Sequence, residues 1–350
     1  MNALPKTLHS VTPDIASTAD TLEGQLMQIF EAVDIISLSR FQIGNRPVVS
    51  LPAMSTTDTP RSVTTRLTEF LWPALYDAAY ARPFSVEPPA ARSVQPAPDL
   101  LSQLRAVFPE GSRWSNNWQI YKNDANGAVH VRKGDCCRQV MPGTFAITSA
   151  GQAQASAIAS ILLPTASSQQ QAGFYHIHSH APYSDHDDAS LARLYLNTRP
   201  ETVVSVMSQI AGLLNAYAVP FRAKTLLDPA AYDRTDSTVF YLARRHLAFT
   251  LALLRDLFPV PPAELAPDVP LFSKSLTSGI GGADDPGYGM SFGQTRAMMM
   301  ADAIVSAWAD GSQSPSIRLE RLRKRFDESG MTLNAPHLNA GNSDIYRLPA

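Results

Sequence analysis

The sequence predicts an α+β fold: a mostly antiparallel sheet with packed helices, preceded by a helical N-terminal region. Three observations predict it. Near the start Leu22, Leu26, Ile29, Phe30, Val33 and Ile36 recur at helical spacing. From Trp114 the character changes to short strand-like segments, the first two flanking the hairpin signal Asn123-Asp124-Ala125-Asn126-Gly127. Among the later strands lie two clear helical stripes, at about 200–218 and 244–258.

Taken in order, residues 1–19 form a Ser/Thr/Pro-flavoured run, a disordered tail or a type III export signal. An amphipathic helix is expected at 20–39, loop-like sequence at 45–62, and a second helix at 63–82 with Pro73 as a kink point. The prolines 83, 88, 89, 96 and 98 mark a linker, and Asp99 is placed to cap a short helix ending near Phe108. Residues 20–108 are thus a helical N-terminal region and 109–350 the α+β domain. In that domain strands are expected at 117–122, 128–133, 172–178, 191–197, 220–227, 237–242 and 271–277. A glycine-rich stretch, Gly279 to Gly289, leads into a helix from Ser291 to Trp308, and a basic helix follows at 316–328.

Composition narrows the function classes. The chain has 350 residues, 45% of them hydrophobic, enough for a sizeable core. Lys+Arg 29 against Asp+Glu 31 leaves a formal charge of -2, which argues against a nucleic-acid partner held by bulk charge and leaves room for a local cationic pocket. Cys136 and Cys137 are adjacent, so no disulfide framework is expected, and the chain reads as a reduced, cytoplasmic type. No run of about 18 apolar residues occurs, so no membrane span is expected. The start also lacks an apolar signal core.

Three constellations could carry chemistry. Phe174-Tyr175-His176-Ile177-His178-Ser179-His180 and His186 place four histidines within eleven residues. His176 and His178 share a strand face, as a zinc isopeptidase would need, yet the spacing to Ser184 is short and no upstream acid stands in Ser115-Asn116-Asn117-Trp118. No metal is therefore assigned. The second constellation is cationic. Arg222 and Lys224 alternate with apolar residues on one strand and project to one face, and a second cation nearby depresses a lysine pKa toward useful base strength. Arg193 is a lone cation in an apolar strand, which calls for an anionic partner, and Lys274 stands in a similar pattern. The third is the glycine-rich stretch ahead of a helix that carries Arg296, a place where backbone amides and a helix dipole can meet an anion.

The order of these segments resembles the HopA family, type III secretion effectors of plant-pathogenic bacteria and their chromosomal relatives. The landmarks are Gly173-Phe174-Tyr175; Ser184-Asp185-His186-Asp187-Asp188 running to Arg193-Leu194-Tyr195-Leu196-Asn197; Leu214-Asn215; Pro220-Phe221-Arg222-Ala223-Lys224; and Asp228-Pro229 with Tyr232-Asp233-Arg234-Thr235-Asp236. Then follow Pro270-Leu271-Phe272-Ser273-Lys274, Asp285-Pro286-Gly287, Ser291-Phe292-Gly293-Gln294-Thr295-Arg296, and Leu338-Asn339 with Asp344-Ile345-Tyr346. Met290 departs from the pattern, standing where an acidic residue commonly precedes Ser-Phe-Gly.

The resemblance implies one of two functions. Family members that work beside a kinase-like protein in class V lanthipeptide biosynthesis look like phosphoserine/phosphothreonine lyases. They eliminate phosphate from a phosphorylated precursor peptide and leave dehydroalanine or dehydrobutyrine. Other members are translocated effectors, and such a protein could act inside the host cell by binding a host protein. Elimination needs a base for the Cα proton and cations for the leaving phosphate. Lys224 is the candidate base. Arg193, Arg222, Arg234, Lys274 and Arg296 are candidate phosphate or substrate ligands, and His176 or His178 is a candidate proton donor. The chemistry needs no metal, nucleotide or other cofactor.

Overall fold

The computed structural model describes residues 21–52, 60–88, 99–149, 156–258, 263–287 and 289–348. The tail expected at 1–19 and the linker prolines Pro89, Pro96 and Pro98 lie outside the described residues. Helix α1 spans Leu22–Ala32, and the Thr21 side chain caps it by accepting from the Gly24 N–H at 3.1 Å. The helix expected to run to residue 39 ends at Ala32. Strand β1 (Val33–Ser37) follows and pairs antiparallel with β2 (Arg40–Ile43), which pairs with β3 (Val49–Ser50). Val33 and Ile36 fit a helical repeat on paper. The buried residues, however, are Val33 and Ile35, at the spacing of two that β-branched strands prefer.

Helix α2 (Pro60–Leu75) runs through Pro73 and widens into one π turn, Tyr76–Tyr80, closed by the Ala81 N–H donating to the Tyr76 carbonyl at 2.9 Å. The turn stacks Tyr76 on Tyr80, with ring centroids 4.9 Å apart. Helix α3 (Leu100–Val107) begins at Asp99, whose carboxylate accepts from the Ser102 N–H at 3.1 Å.

The remaining strands are β4 (Gly111–Asn123), β5 (Val129–Lys133), β6 (Cys136–Val140), β7 (Phe145–Ile147), β8 (Ile158–Ser167), β9 (Phe174–His178), β10 (Leu191–Leu196), β11 (Phe221–Leu226), β12 (Thr238–Ala243), β13 (Lys274–Thr277) and β14 (Ile280–Asp284). They form an eleven-stranded sheet in the order β13-β14-β10-β12-β11-β9-β8-β4-β5-β6, with β7 paired to β8, and the pairing is antiparallel. The helices among them are α4 (Asp185–Ala189), α5 (Val203–Ala216), α6 (Arg244–Leu257), α7 (Phe292–Ala309) and α8 (Pro315–Glu328). The glycine-rich stretch is half strand. Gly281 and Gly282 lie in β14, where a Cβ on Gly282 would overlap the Tyr346 ring. These two glycines serve packing and do not cradle an anion.

Strand alternation sends the two faces of the sheet to different cores. Tyr175, Ile177, Ala192, Leu194, Phe221, Ala223, Phe240 and Leu242 face α3, α5 and α6. On the other face Tyr195, Val239 and Ala283 pack with α2, the π turn and α7, which also bury α1 and α8. That second layer covers only part of its face. Strands β10, β12, β11 and β9 run beyond it, and their upper side chains border open space.

Close packing where the N-terminal region meets α7 gives a direct test. Gly293, in the first turn of α7, lies under the Tyr80 ring, and a Cβ there would overlap it. Gly293→Ala is expected to destabilise by about 1–3 kcal/mol, as overpacking does, despite alanine's better helix propensity. Urea unfolding checks this, and an unchanged midpoint refutes it.

Candidate functional site

Register aligns the candidate side chains in two cross-strand rows. Arg193 stands opposite Tyr241, Tyr241 opposite Arg222, and Arg222 opposite His178. Two residues along each strand, Tyr195 stands opposite Val239, Val239 opposite Lys224, and Lys224 opposite His176. Above these rows opens a cleft of about 700 Å³, bordered by Arg193, Arg222, Lys224, His176, Tyr241 and Asp188 from the sheet and α4. Gln170 and Gln171 close one side. The turn after β14 and the start of α7, with Met290, Ser291 and Gln294, close the other. Ser291 makes no side-chain cap to α7, so the positive end of an 18-residue helix borders the cleft.

Lys224 is the central group. Its Nζ donates to Gln171 Oε1 at 3.0 Å and sits 4.4 Å from the centre of the Phe174 ring. Among the described residues it has no carboxylate partner. Burial, then the Arg193 charge, lowers its pKa to about 8, with Asp236 opposing and Arg234 adding to the effect. The depression expected from a neighbouring cation thus comes mainly from burial, and its cationic part from Arg193 and Arg234. Arg222 donates to Asp188, also at the cleft border, at 2.6 Å and stacks over the Tyr183 ring.

Arg193 has the anionic partner its buried strand calls for. Its Nε donates to Asp285 Oδ2 at 2.7 Å, its Nη2 donates to the Met290 carbonyl at 2.8 Å, and its guanidinium lies over the Tyr241 ring. Burial works against its charge, but Tyr195, Tyr241 and Asp285 outweigh it and raise the pKa. Asp-Pro-Gly explains the geometry. Asp285 Oδ1 accepts from the Gly287 N–H at 2.8 Å while Gly287 takes a φ of 77°, a value that favours glycine. Met290 presents its carbonyl to Arg193 and also borders the cleft.

Of the two candidate histidines, His176 borders the cleft and His178 lines a separate pocket with Phe108 and Asn215. Burial first, then Lys224 and His178, lowers the His176 pKa to about 4, and its Nε2 is buried without a hydrogen-bond partner. At neutral pH it is uncharged, which makes it a poor proton donor. His178 Nε2 pairs with Gln170 Oε1 at 3.2 Å, and burial followed by Arg222 lowers its pKa. Among the described residues no three His, Cys, Asp or Glu side chains gather as a metal site, so the isopeptidase reading finds no donor set.

Of the remaining candidates, Arg234 borders an adjoining recess, where it donates twice to Asp236 and once to the Tyr76 hydroxyl. Lys274 and Arg296 do not border the cleft. Lys274 pairs with Asp344 at 2.7 Å. Arg296, 2% exposed, donates to the carbonyls of Pro336 and Leu338 and lies between the rings of Phe292 and Phe326. Both cations hold the C-terminal segment in place, and that leaves neither free to reach a phosphate in the cleft. Sequence reasoning missed Tyr241, Gln171, Gln294 and Asp285 as cleft residues. Gln294 and Asp285 stand inside landmarks of the family pattern. Tyr241 becomes visible only once the register sets it between Arg193 and Arg222.

The HopA1 effector protein family model matches residues 165–338, a span that contains every residue bordering the cleft. Through this span the chain belongs to the HopA1 effector protein family. Two solved structures are similar to it. The effector protein from Pseudomonas syringae pv. tomato strain DC3000 has a TM-score of 0.43 and 15% identity, covering 82% of this chain and 92% of that one. The effector protein from Pseudomonas syringae pv. syringae strain 61 has a TM-score of 0.43 and 16% identity, covering 79% of this chain and 97% of that one. No curated protein matches the chain significantly. Among the described residues no helix is long and apolar enough to cross a membrane.

Proposed function

We propose that the protein is a lyase that eliminates phosphate from phosphoserine or phosphothreonine in a peptide. The observation that carries this reading is Lys224: a half-buried amine with a pKa near 8, between Arg193 and His176 on the floor of a cleft bordered by a helix N-terminus. In the proposed step neutral Lys224 takes the Cα proton. The C–H electron pair forms the Cα=Cβ bond, the Cβ–O bond breaks, and phosphate departs with the Cβ–O pair on its bridging oxygen. Arg193, Arg222 and the first turn of α7 supply positive charge to the phosphate. The Tyr241 hydroxyl, its pKa raised by burial, stays protonated and borders the same space, so it can deliver a proton to the departing oxygen. The products are dehydroalanine or dehydrobutyrine and inorganic phosphate. The substrate is a precursor peptide phosphorylated by a kinase-like partner. No cofactor enters the step.

Incubation with a phosphothreonine peptide is expected to give a dehydrobutyrine peptide by mass, with stoichiometric release of phosphate. Intact peptide, or hydrolysis back to threonine, refutes the reading.

A second reading is favoured by the effector family itself and by the pairing of Arg193 with Asp285 and of Arg222 with Asp188, which offsets the positive charge around Lys224. Under it the protein is delivered into a host cell and acts by binding a host protein, without turnover. A Lys224→Met protein delivered to host cells then keeps its effect, whereas the lyase reading predicts its loss.

A further inference from the structure

Beside the cleft lies a recess of about 380 Å³ that shares Lys224, Arg193, Tyr241, Ser291, Gln294 and Gln171 with it. Its own walls are of a different kind. Trp72, Tyr76 and Tyr80 come from α2 and the π turn, Phe174 from β9, and Tyr195 and Val239 from the second cross-strand row. The charges at its edge, Arg234 and Asp236, neutralise each other through two hydrogen bonds. Beyond the edge it shares with Lys224 and Arg193, the recess offers an anion no cation but the neutralised Arg234, and a flat apolar group finds aromatic walls. One polar group is left over. Tyr195 is 2% exposed, and its buried hydroxyl makes no well-formed hydrogen bond, with the Tyr80 hydroxyl beside it on the donating side. Burial raises its pKa to about 12, against the opposing effects of Arg193 and the Tyr80 hydroxyl, so it stays protonated and its own proton is left to donate.

The spacing of the two cavities matches a peptide. The recess floor, Tyr195 and Val239, lies two residues along the strands from the Arg193 row, about 7 Å at a strand's rise. In an extended peptide the side chains of residues i and i+2 point the same way, with the same separation. A phosphorylated residue over the Arg193 row therefore sets the side chain two positions away into the recess. The family match covers none of Trp72, Tyr76 and Tyr80, so these walls come from outside the matched segment.

We propose that this recess is a specificity subsite for the peptide substrate, receiving an uncharged aromatic side chain with an acceptor tip, tyrosine above all, two positions from the phosphorylated residue. The inference rests on the lyase reading for its substrate, and it adds which sequences that substrate carries. The aromatic walls hold the ring, and the Tyr195 hydroxyl donates to its tip.

The test uses the full chain and phosphothreonine peptides that differ only at the positions two before and two after the phosphorylated residue, with Tyr, Phe, Gly or Asp there. Binding is read by fluorescence anisotropy and elimination by mass. At one of the two positions Tyr is expected to bind about tenfold tighter than Gly, with Asp weaker than Gly. Tyr195→Phe is expected to remove the advantage of Tyr over Phe, roughly three- to tenfold, and to leave that of Phe over Gly. Trp72→Ala is expected to reduce the Phe-over-Gly preference. Elimination that is indifferent to both positions overturns the subsite and leaves the lyase intact. Selective binding without phosphate loss overturns the lyase and leaves the subsite. A Tyr preference that survives in Tyr195→Phe overturns the hydrogen bond assigned to that hydroxyl.

Discussion

Lys224→Met is expected to lower phosphate elimination by about 10²–10⁴-fold, the range over which a positioned general base acts, while leaving the protein folded. Lys224→Arg is expected to fail as well, because guanidinium keeps its proton at any working pH. In the unaltered protein the rate should rise with pH and level off above about 8, as the amine becomes neutral. The same substitution should stabilise the fold. Burial is the main cause of the lowered pKa, so the folded state resists the ammonium. The unfolded chain, with lysine's ordinary value of 10.5, binds more protons between pH 8 and 10.5, and stability therefore climbs with pH across that window. Below pH 8 the full penalty is present. Lys224→Met removes it, worth on the order of 1–2 kcal/mol at pH 7 after solvent screening, and the gain should shrink by pH 10.5. Stopped activity with a raised urea midpoint at pH 7 is the expected pair of results. An active Lys224→Met protein sinks the assignment.

Much of the sheet could be read from the chain because its signals are local. The Asn126-Gly127 turn, the alternation around Arg222 and Lys224, and the stripe from Val203 to Leu214 depend on neighbours a few residues away, and β4, β5, β11 and α5 follow them. Strands β6, β7, β8 and β14 carried weaker local signals. The sequence Ile280-Gly281-Gly282-Ala283-Asp284 resembles a flexible loop until Tyr346 is seen filling the space that Gly282 leaves, and Val269 and Ser273 that of Gly281. The site divides in the same way. Lys224 and Arg222 share a face because side chains alternate, and Arg193 needed an anion because its strand is apolar. Which anion it found, and that Lys274 and Arg296 are spent on Asp344 and on backbone carbonyls, depend on contacts across 40 to 92 residues. No local pattern encodes those partners.

Asp284→Ala is expected to be the most damaging single change outside the cleft. The Asp284 side chain is fully buried at the end of β14 and pairs with the Arg244 guanidinium. It also accepts from the Tyr346 hydroxyl at 2.8 Å, the Asn339 N–H at 2.9 Å and the Asn342 amide at 2.8 Å. One carboxylate thereby ties α6 and the C-terminal segment to the sheet, and Arg296 and Lys274 fasten the same segment from either side. Its removal leaves Arg244 nearly buried without its carboxylate, holding only the Ser343 carbonyl, and takes the acceptor from the Tyr346 hydroxyl and the Asn339 N–H, a loss of about 3–5 kcal/mol. Asp284→Asn keeps the size and one acceptor and should cost less. The next residue, Asp285, holds Arg193 and the turn into α7, so loosening at 284 should reach the cleft. Elimination by Asp284→Asn should then fall under conditions where urea unfolding finds the protein folded, and protease should cut the segment 331–348 faster than in the unaltered chain. Equal cutting rates with full activity would mean that the C-terminal anchor and the cleft are energetically independent, and that Arg193 is held by Asp285 alone.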